Sequence, residues 1–126
     1  MSYIELHCHS VFSLLEGASE PEALLSRVKA LGMTGLALTD RDDLGGAVRF
    51  AQAAKELDLA GILGAELSLV IDNIPAPLVL LAETREGYGN IASLITRARM
   101  DHPRGEPGVS LDTRSEERRV GKECRL

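Results

Sequence analysis

Four short apolar segments, at residues 3–6, 35–39, 61–65 and 78–82, are punctuated by stretches with helical periodicity. Leu24, Leu25, Val28 and Leu31 form the first apolar stripe; Val48, Ala51, Ala54 and Leu57 form the second, on a helix over about 44–57. Tyr88, Ile91, Leu94, Ile95 and Ala98 form the third, over 86–99. Ser19 with Glu22 reads as a capping box, Pro21 suits a first turn, and Gly32 is placed to close that helix. The third strand has room to continue through 67–71 before a turn at 72–77, and residues 101–113 read as loop. Strands alternating with helices imply an α/β fold, with helices packed on a parallel sheet.

The 126 residues suffice for one domain with a real core. There is no Trp, and Tyr3, Phe12, Phe50 and Tyr88 are the whole aromatic set, so the core must be aliphatic. A net charge of −5 argues against a general basic field for nucleic acid. No apolar run reaches about 18 residues and no signal-peptide pattern is present, so a cytoplasmic chain with no membrane partner is expected. Cys8 and Cys124 are too few for a disulfide framework.

The chemistry gathers at strand ends. His7 and His9 flank Cys8 where the first strand runs into a polar loop over 10–19. In extended backbone, positions i and i+2 share a face, so two neutral imidazoles can converge on one metal ion. A His-x-His alone is a weak signal, since two polar residues at a strand end, one packed against the core, explain it better. Asp40 and Glu66, however, end the second and third strands. Singly, Asp40 could cap the next helix and Glu66 could be a surface carboxylate. Together the four residues offer nitrogen and oxygen donors on one rim, where (β/α) barrels collect metal-binding groups. A divalent ion there could activate water for hydrolysis.

From Arg114 the character changes to Arg-Ser-Glu-Glu-Arg-Arg-Val-Gly-Lys-Glu-Cys. As protein this is a charged, solvated tail. It also resembles the translation of a common short-read sequencing adaptor. On that reading residues 114–126 are an artefactual tail and 1–113 a domain fragment. The body then carries 9 basic and 16 acidic residues.

The motifs His7-Cys8-His9-Ser10 with Phe12-Ser13, Leu38-Thr39-Asp40-Arg41-Asp42, and Gly64-Ala65-Glu66 resemble those of the PHP (polymerase and histidinol phosphatase) family. Residues 13–19, 46–50, 79–82 and Gly87-Tyr88 further resemble the N-terminal PHP domain of DnaE-type bacterial DNA polymerase III alpha subunits, with the error-prone branch nearest. The resemblance implies the N-terminal part of a distorted (β/α)7 PHP barrel, truncated here, whose family binds up to three divalent metals. It implies that His7, His9 and Glu66 are metal ligands, with Glu16 in place of a frequent Asp and zinc or manganese as the ion. Asp40 and Arg41 match motif positions beside the site. Arg41 stands where many members have a His, Pro77 replaces another, and His102 matches no ligand position.

The parent implied is a nucleotidyltransferase acting in damage-induced translesion replication. Its partners would be DNA, dNTPs and replication or mutagenesis accessory proteins. The palm carboxylates working with magnesium would lie outside this chain, so no catalytic residue is assigned. The PHP part would be a structural or vestigial metal-binding module. A free-standing metal-dependent phosphoesterase on a small phosphate ester and a metal-free scaffold are the alternatives. Guanidinium cannot ligate a metal. At about 4 Å it would repel a unit charge by roughly 4 kcal/mol at an effective dielectric of 20, unless Asp42 or Glu16 pairs with it. Half a barrel should also leave an unpaired edge at 78–82.

Overall fold

A computed structural model describes residues 2–104, Gly108 and the backbone of residues 124–125. The elements run β1 (Ile4–Glu5), α1 (Pro21–Ala30), β2 (Gly35–Arg41), α2 (Ala47–Glu56), β3 (Ala60–Leu67), β4 (Val70–Ile71), β5 (Ile74–Pro75), β6 (Leu78–Ala82), α3 (Arg85–Met100) and β7 (Cys124–Arg125). The main sheet has the order β1-β2-β3-β6-β7, and β4 and β5 form a separate small hairpin. Helices α1 and α2 cover one region of the sheet. There Leu25, Val28, Leu36, Leu38, Phe50, Ala53 and Ala54 make a buried cluster. Helix α3 covers another, with Ala65, Leu67, Leu80, Ile91, Leu94, Ile95 and Ala98. The α/β architecture expected from the alternation is present.

The sheet departs from the all-parallel expectation. β1-β2 and β2-β3 are parallel, whereas β6 runs antiparallel to β3, pairing Gly64 with Leu81 and Leu67 with Leu78. The reason is the connection: residues 68–77 hold a two-stranded hairpin instead of a crossover helix, and a parallel return needs such a crossover. The outer edge of β6 is also taken, at Leu81 and Ala82, by the backbone of Arg125 and Cys124. The unpaired edge expected at 78–82 is therefore partly paired. The rest of the expected tail lies outside the described residues.

Two helix details are corrected. Glu20, with no side-chain cap, precedes α1 in place of the Ser19 capping box. In α2 the inward face is Ala47, Phe50, Ala53 and Ala54, while Val48 is exposed. Fully buried Phe50 sets that rotation, because it is the largest apolar side chain of the helix. α3 follows its expected stripe, and its N-cap Thr84 accepts a hydrogen bond from the Gly87 amide.

Candidate metal centre

Strand register places the site. Arg41 and Glu66 are partners across β2-β3, so their side chains emerge next to each other on one face. By the two-residue period, Leu36, Leu38 and Ala65 lie on the opposite face, against the helices. Asp40 shares that helix-side parity, so it turns away from Glu66. The segment after β1 continues alongside β2. The Cys8 amide donates to Thr39 Oγ1 at 3.0 Å, and the Thr39 amide donates to the Cys8 carbonyl at 2.9 Å. Cys8 is thereby pinned, and its neighbours His7 and His9 both face Glu66. Partial burial, followed by the nearby Asp40 and Glu5 charges, pushes the Cys8 thiol pKa up.

The loop is wound on Asp40. This buried carboxylate accepts the Ser10 amide at 2.6 Å, the Ser10 hydroxyl at 2.7 Å and the Ser13 hydroxyl at 2.7 Å. Ser13 Oγ also accepts the Arg41 amide at 3.0 Å. The Ser13 carbonyl accepts the amides of Glu16 and Gly17, and these turns return Glu16 to His9. Gly17 is required here, because a Cβ would lie 1.9 Å from the Ser10 carbonyl oxygen.

Among the described residues, His7, His9 and Glu66 each offer a ligand atom within 4.8 Å of the others. His7 Nε2 lies 3.2 Å from Glu66 Oε1, and His9 Nε2 lies 2.8 Å from Glu66 Oε2. The latter two atoms are buried and close, yet misaligned for a hydrogen bond, so neither has a hydrogen-bond partner. A buried polar atom left this way is costly unless something else satisfies it. Two donors about 2.1 Å from a common ion, at right angles, would sit about 3.0 Å apart. The donor set and spacing fit one divalent cation.

Of the four rim residues singled out from sequence, the structure brings three together. Asp40 is the fourth, and its oxygens are occupied by serines. Glu16 lies at the margin, with Oε2 at 3.5 Å from His9 Nδ1. Arg41 Nε stands 3.0 Å from Glu16 Oε2, and an Arg41 terminal nitrogen stands 3.3 Å from Glu66 Oε2. Of the two carboxylates named as partners for Arg41, Glu16 takes that place. Asp42 is turned to Ser68, accepting its amide at 2.9 Å and its hydroxyl at 2.5 Å. Exposed Pro77 supplies no donor. His102 Nδ1 lies 3.0 Å from the Ala98 carbonyl, so it closes the end of α3. The roles of Ser10 and Ser13 were not foreseen; two serines beside a His-x-His were the only sequence trace.

A sheet part parallel and part antiparallel thus carries a His-x-His loop facing a glutamate, a donor set able to hold a divalent cation. The chain matches the PHP domain over residues 5–120 and belongs to that family. Its relatives include proteins named "Error-prone DNA polymerase". That of Cutibacterium acnes is 44% identical over 87% of this chain and 11% of its own length. That of Anaeromyxobacter dehalogenans is 51% identical over 76% of this chain and 9% of its own. That of Mycobacterium tuberculosis is 43% identical over 92% and 11%. The chain thus spans about a tenth of these polymerases.

Two solved structures share the fold. A Bifidobacterium adolescentis protein assigned as a metal-dependent phosphoesterase superposes with a TM-score of 0.66 at 26% identity, covering 79% of this chain and 34% of that one. An amidohydrolase from Chromobacterium violaceum, with bound sulfate and no metal, gives 0.64 at 30% identity, covering 77% and 33%. Among the described residues, no helix is long and apolar enough to cross a membrane.

Proposed function

We propose that this chain is the PHP module of an error-prone, DnaE-type DNA polymerase, and that the module holds a divalent cation between His7, His9 and Glu66. The observation that carries it is the 43–51% identity to error-prone polymerases across the PHP region, joined to two buried donor atoms without hydrogen bonds. Imidazole nitrogens with a carboxylate oxygen suit zinc or manganese. When bound, such an ion supplies charge that polarises a phosphate oxygen or activates a water. His7, His9 and Glu66 bind and orient it, while Asp40 holds the loop that carries His9.

Template-directed synthesis from DNA and dNTPs, with magnesium and any accessory replication or mutagenesis proteins, belongs to the parent polymerase outside these residues. On this reading the module's role is structural or vestigial, in a cytoplasmic protein. Residues 114–126 stand outside the module, although the family match reaches residue 120. An independent read of the gene encoding those residues would return them to it.

A second reading is favoured by the phosphoesterase neighbour: a free-standing enzyme releasing phosphate from a small ester. Primer extension by the protein of the complete gene separates the two. Extension that survives His9→Ala supports the polymerase module. Phosphate release from a small ester without extension, abolished by His9→Ala, supports the phosphoesterase and overturns the first reading.

A further inference from the structure

The Arg41 guanidinium sits between two carboxylates at the edge of the metal-binding group. Its Nε lies 3.0 Å from Glu16 Oε2 and a terminal nitrogen lies 3.3 Å from Glu66 Oε2. Beside them, the two nitrogens of His9 face the same pair: Nδ1 is 3.5 Å from Glu16 Oε2 and Nε2 is 2.8 Å from Glu66 Oε2. Glu16 and Glu66 are carboxylates that could bridge to a second cation next to the first. The position they enclose is filled by a group that is always charged and cannot act as a ligand.

Resting on the metal-centre reading above, the geometry points to Arg41 as a built-in cation that takes the place of a second metal ion and fixes the site at one. It satisfies the charge of Glu16, leaves His7 Nε2, His9 Nε2 and Glu66 for the first ion, and repels another divalent cation at close range. Register makes this placement hard to escape, because Arg41 is paired to Glu66 across β2-β3 and its amide is tied to Ser13 Oγ. The role is one of selectivity. Arg41 sets how many ions bind and touches no reacting group.

The test is manganese binding to the full chain, read by stoichiometry in a calorimetric titration and by the electron paramagnetic resonance spectrum. The wild type should bind one ion per chain and give an uncoupled six-line signal. Arg41→Met, which keeps length but removes the charge, should bind two ions, with an exchange-coupled spectrum. Arg41→Lys, which keeps the charge, should bind one. Two coupled ions in the wild type, or one in a folded Arg41→Met, would overturn the inference while leaving the metal centre standing. Should Arg41→Met not fold, Arg41→Gln, which also removes the charge, carries the same test: two coupled ions are expected, and one would overturn the inference. No ion bound to either folded form would sink the metal-centre reading, and this inference with it.

Discussion

Asp40 is the residue whose role the structure changes most, so its replacement is the most informative perturbation. It takes three hydrogen bonds, from the Ser10 amide and from the hydroxyls of Ser10 and Ser13, in a site where all three residues are buried. Asp40→Ala strips the acceptor from each donor. A buried donor left unsatisfied costs about 1–3 kcal/mol, so three dry donors would cost roughly 3–9. Water entering the vacated space re-satisfies some of them, which brings the expected loss to about 3–5 kcal/mol. Set against a typical total of about 5–15 kcal/mol, that is enough to leave the fold marginal.

Asp40→Asn keeps Oδ1 as an acceptor for the Ser10 amide and Ser13 hydroxyl and turns Oδ2 into a donor. Ser10 Oγ must then accept in place of donating, and the loss should be about 1–2 kcal/mol. Urea unfolding followed by circular dichroism gives these numbers, and a parallel manganese titration of Asp40→Asn should keep the wild-type stoichiometry with weaker affinity. The reasoning fails if Asp40→Ala costs under about 1 kcal/mol. It also fails if Asp40→Asn melts like the wild type yet binds no ion, since that is how a direct ligand would behave.

Two further expectations follow from the same loop and its flank. In Gly17→Ala the new Cβ would meet the Ser10 carbonyl at 1.9 Å, so the turn must shift and carry His9 with it; manganese affinity should fall at least tenfold by titration, with the helical dichroism kept. Glu22 receives hydrogen bonds from Arg49, which hold its pKa below the ordinary 4.5. Because the folded-state value is depressed, the pair's small contribution is present above pH 4.5 and lost as pH falls through the folded value. Glu22→Gln should therefore melt slightly below the wild type near neutrality, and the two melts should converge below pH 4.5. A gap that widens on acidification would show the sign to be wrong.

The convergence of His7, His9 and Glu66 was readable because donors at the C-terminal ends of parallel strands in one sheet lie along one rim, here those of β1 and β3 on either side of β2. The strand period could also have separated Asp40 from Arg41, since consecutive residues face opposite ways, but only once Glu66 was known to face with Arg41. That needs the β2-β3 register, which is a tertiary fact. The direction of β6 was hidden for a related reason: Leu-Val-Leu-Leu-Ala reads the same in a parallel or antiparallel place. The helix-free interval at 68–77 was the available clue. In α2, alanines on both faces made two rotations equally apolar, and Phe50 alone distinguishes them. Ser10 and Ser13 were invisible as a pair because their common partner lies 27 to 30 residues away.

The most direct measurement is an anomalous difference map at the zinc edge, from crystals of the chain grown with zinc. The account predicts a peak about 2.0–2.2 Å from His7 Nε2, His9 Nε2 and a Glu66 carboxylate oxygen, with Asp40 still bound to Ser10 and Ser13. A peak held by other residues, or none at this group while zinc is present in excess, would contradict it.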